Sequence, residues 1–201
     1  MTPLSKSFTA LTMTFESEFE VVDLITQSQL PTHGVDAFSL SVIKMERQLR
    51  KLFTYLVFQS PAFGPGDIGP LKAALGSSRS AYYEGFELGI NALYRASVED
   101  MVGAAYGELR PALDDARDVR NKVFHGQLTA RCLQREGLVE LSDSIRRWCF
   151  NLAAGASAEV GYDGFERNSF HKGPVTVVDG FRIQIQTPEE YRAFIRRHVN
   201  R

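Results

Sequence analysis

The chain has 201 residues, 44% of them hydrophobic and 23% charged, so it is long enough to bury one full core rather than two. Its 23 basic and 24 acidic side chains leave a net charge of −1, which excludes a protein that coats nucleic acid by overall charge, and any RNA site must be local. The two cysteines, Cys132 and Cys149, are too few for a disulfide scaffold, and no apolar run approaches the ~20 residues that a bilayer requires. We therefore expect a cytoplasmic protein without a signal peptide or membrane partner.

The spacing of apolar residues predicts helices over most of the chain. In chain order they cover residues 16–29, 38–60, 71–75, 81–108, 111–125 and 129–158, with a possible interruption of the last at Gly137. The clearest stripe alternates at spacings of four and three in the second helix: Phe38, Val42, Met45, Leu49, Leu52 and Leu56. Glycine weakens a helix by up to ~1 kcal/mol relative to alanine, so tight packing must offset four glycines in 81–108. These are Gly85, Gly89, Gly103 and Gly107.

The pattern changes after Gly161. Residues 175–185 alternate in polarity on both sides of Asp179-Gly180, which predicts a two-residue β-hairpin. Thr187 then provides an N-cap for a short final helix that starts at Pro188. A lone hairpin is marginally stable in water, so it must pack on the bundle or on a second subunit. The predicted fold is thus an all-α helical bundle over residues 1–160, followed by a small β-hairpin and helix appendix over 161–201.

One segment places a cation, an amide and an imidazole at the end of a predicted helix: Arg120-Asn121-Lys122-Val123-Phe124-His125-Gly126. Upstream, one apolar stripe comprises Ala112, Ala116, Val119 and Val123. At about 100° per residue, Asn121 and His125 point away from this stripe, and Arg120 lies at its border. Gly126 then ends the helix. The helix dipole alone explains a histidine at a helix C-terminus, but the order of the three polar residues on the outer face favours a functional site.

The order Arg-Asn-x-x-x-His resembles the signature of the HEPN superfamily, small helical bundles in which this motif ends an inner helix. The resemblance covers residues 16–155 and implies a homodimer in which the two motifs face each other in one cleft. It also implies a metal-independent endoribonuclease, with His125 transferring protons, Arg120 holding the scissile phosphate, and Asn121 orienting the imidazole or the substrate. A toxin or defence role, with an antitoxin or inhibitor protein as a possible partner, is the expected context. Some HEPN toxins are silenced by modification of a tyrosine two residues after the histidine; Gln127 at that position argues against this form of control.

The residue types suit this chemistry. Cleavage by an adjacent ribose 2′-hydroxyl requires a base, an acid and a cation for the charge on the transition state. Histidine titrates near pH 6.5, so two copies in a dimer can supply one neutral and one charged imidazole. Arginine stays charged and offers a planar fork of donors to phosphate oxygens. The expected product has a 2′,3′-cyclic phosphate and a 5′-hydroxyl.

Other basic residues are candidates for guiding the RNA backbone, although each also fits a plain solvated face. They are Arg117, Lys122 and Arg131 near the motif and Arg47, Arg50 and Lys51 in the second predicted helix. We expect no metal and no cofactor, because the four histidines are scattered and dipole compensation explains the aspartates early in the motif helix. Two alternatives remain open: a non-catalytic HEPN-like module for dimerisation or protein binding, and an unrelated helical bundle with a chance motif.

Overall fold

A computed structural model describes residues 3–28, 30–77, 82–124, 135–166 and 168–200, and within them the side chains of 15–28, 30–77, 82–123, 136–166 and 168–200. The α-helices of this part of the chain are α1 Pro3–Gln27, α2 His33–Phe58, α3 Ile68–Gly76, α4 Tyr83–Leu93, α5 Val98–Val102, α6 Tyr106–Phe124, α7 Arg135–Val160 and α8 Pro188–Phe194. Short 3-10 helices occupy Pro65–Asp67, Gly103–Ala105 and Val175–Gly180, and a π-helical turn, Ile195–Val199, follows α8. The predicted helical architecture is confirmed.

The chain divides into two compact units, each built from two separate segments. The first comprises Met1–Met45 and Val102–Leu152, and the second comprises Glu46–Met101 and Ala153–Arg201. The motif helix α6 therefore belongs to the first unit, whereas α3, α4, α8 and all of α5 except its last residue, Val102, belong to the second.

Aromatic and charged contacts hold α1 and α7 together in the first unit. The Phe15 ring stacks on Phe19 at 4.8 Å between centroids and meets the edge of Phe150 at 5.2 Å. The Arg146 guanidinium lies 5.9 Å from the Phe15 ring and also forms an ion pair with Asp23. Phe15 and Phe19 are both buried, as expected for the apolar face of an amphipathic helix.

The second unit packs α2, α4 and α8 around Phe53. Its ring centroid lies 5.8 Å from that of Phe86 and 6.1 Å from that of Phe194. A Cβ added at Gly85 would lie 2.1 Å from the carbonyl oxygen of Val199, so the absence of a side chain permits this close contact. The C-terminal segment is therefore integrated into the second unit.

The stripe predicted for the second helix is confirmed. All six of its apolar residues are buried in α2: Phe38, Val42, Met45, Leu49, Leu52 and Leu56. α7 also runs without interruption through Gly137, and α8 begins as predicted, because the Thr187 Oγ1 accepts a hydrogen bond from the backbone N–H of Glu190 at 3.1 Å. Strong periodicity and a complete cap motif thus identify these elements correctly.

The prediction of one long helix over 81–108 is wrong, because the chain breaks into α4, α5 and the 3-10 turn at Gly103. Gly103 has a φ of +70°, a conformation that glycine adopts without strain. The predicted start of the next helix at 111 is also wrong, since α6 begins at Tyr106 and Pro111 lies inside it. Gly85 and Gly89 do lie against neighbouring atoms as expected, whereas Gly107 faces open space.

The predicted β-hairpin is also wrong. Residues Val175–Gly180 form a 3-10 helix, and the described residues contain no strand. The pairing partner of this segment is instead the end of α4: Phe181 forms an isolated antiparallel bridge with Tyr94, and the N–H of Arg95 donates to the Gly180 carbonyl at 2.8 Å. A Cβ at Gly180 would lie 2.4 Å from the Tyr94 ring, so this glycine serves close packing rather than a hairpin turn.

Candidate functional site

The candidate site lies on the last turn of α6, in the first unit. Leu109, Leu113 and Ala116 form the inward face of this helix, with exposed fractions of 2%, 0% and 1%. The predicted stripe is therefore shifted towards Leu113, and Ala112 is only half-buried. Because the inward face is apolar and continuous, the opposite face is left to polar groups.

Two of the three motif residues lie where the helical spacing places them. Asn121 is exposed, and Arg120 is half-buried at the border of the apolar face. The Nη1 of Arg120 donates a hydrogen bond to the Oδ1 of Asn121 at 3.1 Å. The amide therefore helps to orient the guanidinium, a role that sequence spacing alone did not indicate.

The third motif residue, His125, lies outside the described residues. It follows Phe124, the last residue of α6 that the structure describes. Arg120 and Asn121 thus lie in the last described turn of this helix.

The basic residues near the motif differ in their surroundings. The Nε of Arg117 forms an ion pair with the Asp118 carboxylate at 3.1 Å, and both side chains are substantially exposed. Lys122 is half-buried on the last turn of α6. Arg131 lies outside the described residues. An exposed pair of this kind contributes little to stability.

The basic residues of α2 belong to the second unit. The Nζ of Lys51 donates hydrogen bonds to the backbone carbonyls of Phe165, at 3.0 Å, and Glu166. Its ammonium group therefore holds the segment that follows α7. Arg47 is half-buried, whereas Arg50 is exposed.

The second unit also contains an aromatic cluster that sequence analysis missed. The Tyr55 and Tyr162 rings stack at 4.5 Å, with the His171 ring 5.2 Å from the former. The Tyr55 hydroxyl donates to the Val160 carbonyl at 2.8 Å. Burial, followed by the charge of Glu166, raises the pKa of Tyr55 to about 12, and burial raises the pKa of Tyr162 as well. Both phenols remain protonated near neutral pH, which indicates a structural role.

Cys149 of α7 is fully buried in the first unit. Burial raises its thiol pKa far above the ordinary value, so it lacks the thiolate that a nucleophile or a metal ligand requires. Within the described ranges, no three His, Cys, Asp or Glu side chains form a group that could bind a metal ion. No helix in this part of the chain combines the length and apolarity needed to span a membrane.

Comparisons of the chain with protein-family models, with curated proteins and with solved structures found no match.

Proposed function

We propose that the protein is a metal-independent endoribonuclease of the HEPN type, acting through a composite site in a homodimer. The observation that supports this most is the arrangement at the end of α6. Arg120 and Asn121 are hydrogen-bonded at 3.1 Å on the polar face of the final turn, and the chain continues directly to His125. A cation suited to phosphate, an amide that can orient it and a titratable imidazole thus lie within six residues of sequence.

The proposed reaction assigns one role to each residue. One His125 removes the proton from the ribose 2′-hydroxyl, and the His125 of the second protomer protonates the leaving 5′-oxygen. Arg120 donates two hydrogen bonds to the phosphate oxygens, which gain negative charge in the transition state. Asn121 positions the guanidinium through its carbonyl oxygen.

The need for both an acid and a base supports the dimer. A single motif supplies one histidine, whereas a two-fold axis beside the end of α6 would bring a second copy into the same cleft. In this proposal the dimer is a toxin or defence effector with an inhibitor protein as partner. Arg117, Lys122 and Arg131, which lie near the motif in the sequence, are the proposed RNA contacts.

Activity assays on a mixed RNA substrate test this proposal. We expect cleavage to persist in excess chelator, and to fall on the order of 100-fold or more in His125→Ala and in Arg120→Ala. Asn121→Ala should have a smaller effect, because it only orients the guanidinium. Arg120→Lys should rescue poorly, since lysine keeps the charge but loses the planar fork. Arg196→Ala, at an exposed position of the second unit, is the control.

A non-catalytic HEPN-like module for dimerisation or protein binding is the second candidate. The near-neutral net charge of −1 favours it, because a nuclease usually gains from a basic surface. If the purified protein forms a dimer that cleaves no RNA, this alternative replaces the first. A monomer that cleaves no RNA would instead indicate an unrelated bundle with a chance motif.

A further inference from the structure

A cleft in the second unit has the composition of an anion-binding site, and the proposed ribonuclease chemistry does not use it. The cleft has a volume of about 510 Å³ and lies between α2, α3, α4 and the segment that follows α7. Pockets for small ligands and cofactors commonly measure about 300–1,000 Å³. The cleft is therefore large enough for a ligand of nucleotide size.

Cations dominate the polar lining of the cleft. Arg50, Lys51 and Lys72 contribute to the wall, and no aspartate or glutamate is among the lining residues. Arg50 and Lys72 are exposed, and neither forms an ion pair with a carboxylate of the described residues. Two cations thus face the same cavity without local neutralisation, which favours an anionic occupant.

Lys51 holds the part of the cleft wall that lies in the segment following α7. Its hydrogen bonds to the Phe165 and Glu166 carbonyls fix the start of the segment that presents Ser169 and Phe170 to the cleft. The Lys72 Nζ lies 5.3 Å from the centre of the Phe170 ring, so the aromatic face restrains this ammonium group. Defined contacts therefore hold two of the three cationic side chains, Lys51 and Lys72.

The cleft also has an apolar part. Its apolar lining residues include Leu71, Leu75 and Phe86, of which Leu71 and Phe86 are 2% and 3% exposed. Thr54, another lining residue, is 7% exposed, and its hydroxyl donates a hydrogen bond to the Arg50 carbonyl at 2.7 Å. An anion alone, such as inorganic phosphate, would use the cations but not this apolar surface.

We propose that the cleft binds a small phosphorylated ligand of nucleotide size. Its phosphates would contact Arg50 and Lys72, and its planar or apolar part would lie against Leu75 and Phe86. The phosphate contacts are charge-assisted hydrogen bonds, which are stronger than neutral ones. The apolar contact distinguishes a nucleotide from pyrophosphate, because only the former buries a ring. The proposed contacts do not include Arg120, Asn121 or His125.

Isothermal titration calorimetry on the full chain tests the proposal, with the four ribonucleoside triphosphates, adenosine, pyrophosphate and a single-stranded RNA oligonucleotide as probes. We expect at least one triphosphate to bind more tightly than pyrophosphate and adenosine. Arg50→Glu and Lys72→Glu should each weaken this binding by at least about tenfold, because each removes a charged contact and adds repulsion. Arg196→Glu makes the same charge change at an exposed position outside the cleft and should leave binding unchanged.

Three results would overturn the proposal. The first is that no triphosphate binds at millimolar concentration. The second is that Arg50→Glu and Lys72→Glu bind the triphosphate as tightly as Arg196→Glu does, while circular dichroism shows that all three variants are folded. The third is that the RNA oligonucleotide alone binds through Arg50 and Lys72, which would make the cleft part of an RNA path. Because the assay measures binding rather than cleavage, its outcome is separate from that of the ribonuclease proposal.

Discussion

Replacement of Gly155 by alanine should destabilise the protein even though alanine is the better helix former. Gly155 lies within α7, and a Cβ at this position would be 1.8 Å from the carbonyl oxygen of Met101 and 2.9 Å from its Cα. Both neighbours are backbone atoms of the second unit, so a change of rotamer cannot relieve the clash. The helix or its neighbour must move by more than an ångström.

The magnitude follows from two opposing effects. Alanine in a helix interior is favoured over glycine by about 1 kcal/mol. Overpacking of a tight site costs about 1–3 kcal/mol, and a rigid backbone contact belongs at or above the upper end. We therefore expect a net loss of about 2 kcal/mol or more in the free energy of unfolding, which lowers the Tm by roughly 4–8 °C for a chain of this size.

Gly107→Ala is the matched control. Gly107 lies in α6, and an added Cβ would meet no atom within 4 Å. The same substitution should therefore raise stability by up to about 1 kcal/mol, since the helix gain is unopposed. Urea denaturation and thermal melts followed by circular dichroism measure both variants. If Gly155→Ala is as stable as the parent, or gains stability as Gly107→Ala does, the close contact with Met101 is not present in the protein.

Four further outcomes test separate parts of the structure. Gly85→Ala should lower the free energy of unfolding by about 1–2 kcal/mol in urea melts, because its Cβ would lie 2.1 Å from the Val199 carbonyl oxygen. A shift of the segment around Val199 relieves part of this clash. Tyr55→Phe should cost about 1 kcal/mol at pH 7 through loss of a buried hydrogen bond. Since the folded-state pKa of Tyr55 is raised to about 12, the parent loses stability as the pH rises above 10. The difference in the free energy of unfolding between the parent and Tyr55→Phe should therefore narrow above pH 10. A difference that stays constant would contradict the pKa shift. Cys149 should react with iodoacetamide at pH 8 only after denaturant is added, as peptide mapping by mass spectrometry would show, and rapid labelling of the folded protein would disprove its burial. Thr187→Ala should cost about 1 kcal/mol by removing the cap of α8, whereas Thr187→Ser should retain most of it.

Helices with strong periodicity could be predicted from the sequence because one side of each is buried. The α2 stripe from Phe38 to Leu56 was identified residue by residue, since its six members recur at helical spacing and all face the core. In α6, the same argument placed Asn121 on the exposed face and Arg120 at its border. Local spacing determines which face a residue occupies, and this was enough to locate two residues of the candidate site.

Elements that depend on distant partners could not be predicted in the same way. The alternation around Asp179-Gly180 is typical of a hairpin, yet Gly180 contacts the Tyr94 ring and the segment bonds to the end of α4. Tertiary contacts therefore overrode a local β preference. Similarly, Lys72 and Phe170 are 98 positions apart in the sequence, and no motif links them, but the fold places the ammonium over the ring. The proposed cleft required the three-dimensional arrangement.

Mixing protomers in the cleavage assay tests whether the proposed active site is shared between the two chains of a dimer. If each cleft needs His125 from both chains, one as base and one as acid, then a dimer with a single His125→Ala protomer should be nearly inactive. After subunit exchange at a one-to-one ratio, about one quarter of the dimers contain two parent protomers, so activity should fall to about one quarter of that of the unmixed parent dimers at equal total protein. If each protomer carries its own complete site, activity should fall only to about one half. Native mass spectrometry of differently tagged protomers verifies that exchange is complete, and an exchange with Arg196→Ala should leave activity unchanged. Activity that declines in proportion to the fraction of parent protein, despite complete exchange, would refute the two-histidine mechanism, because it would mean that the base and the acid come from one chain.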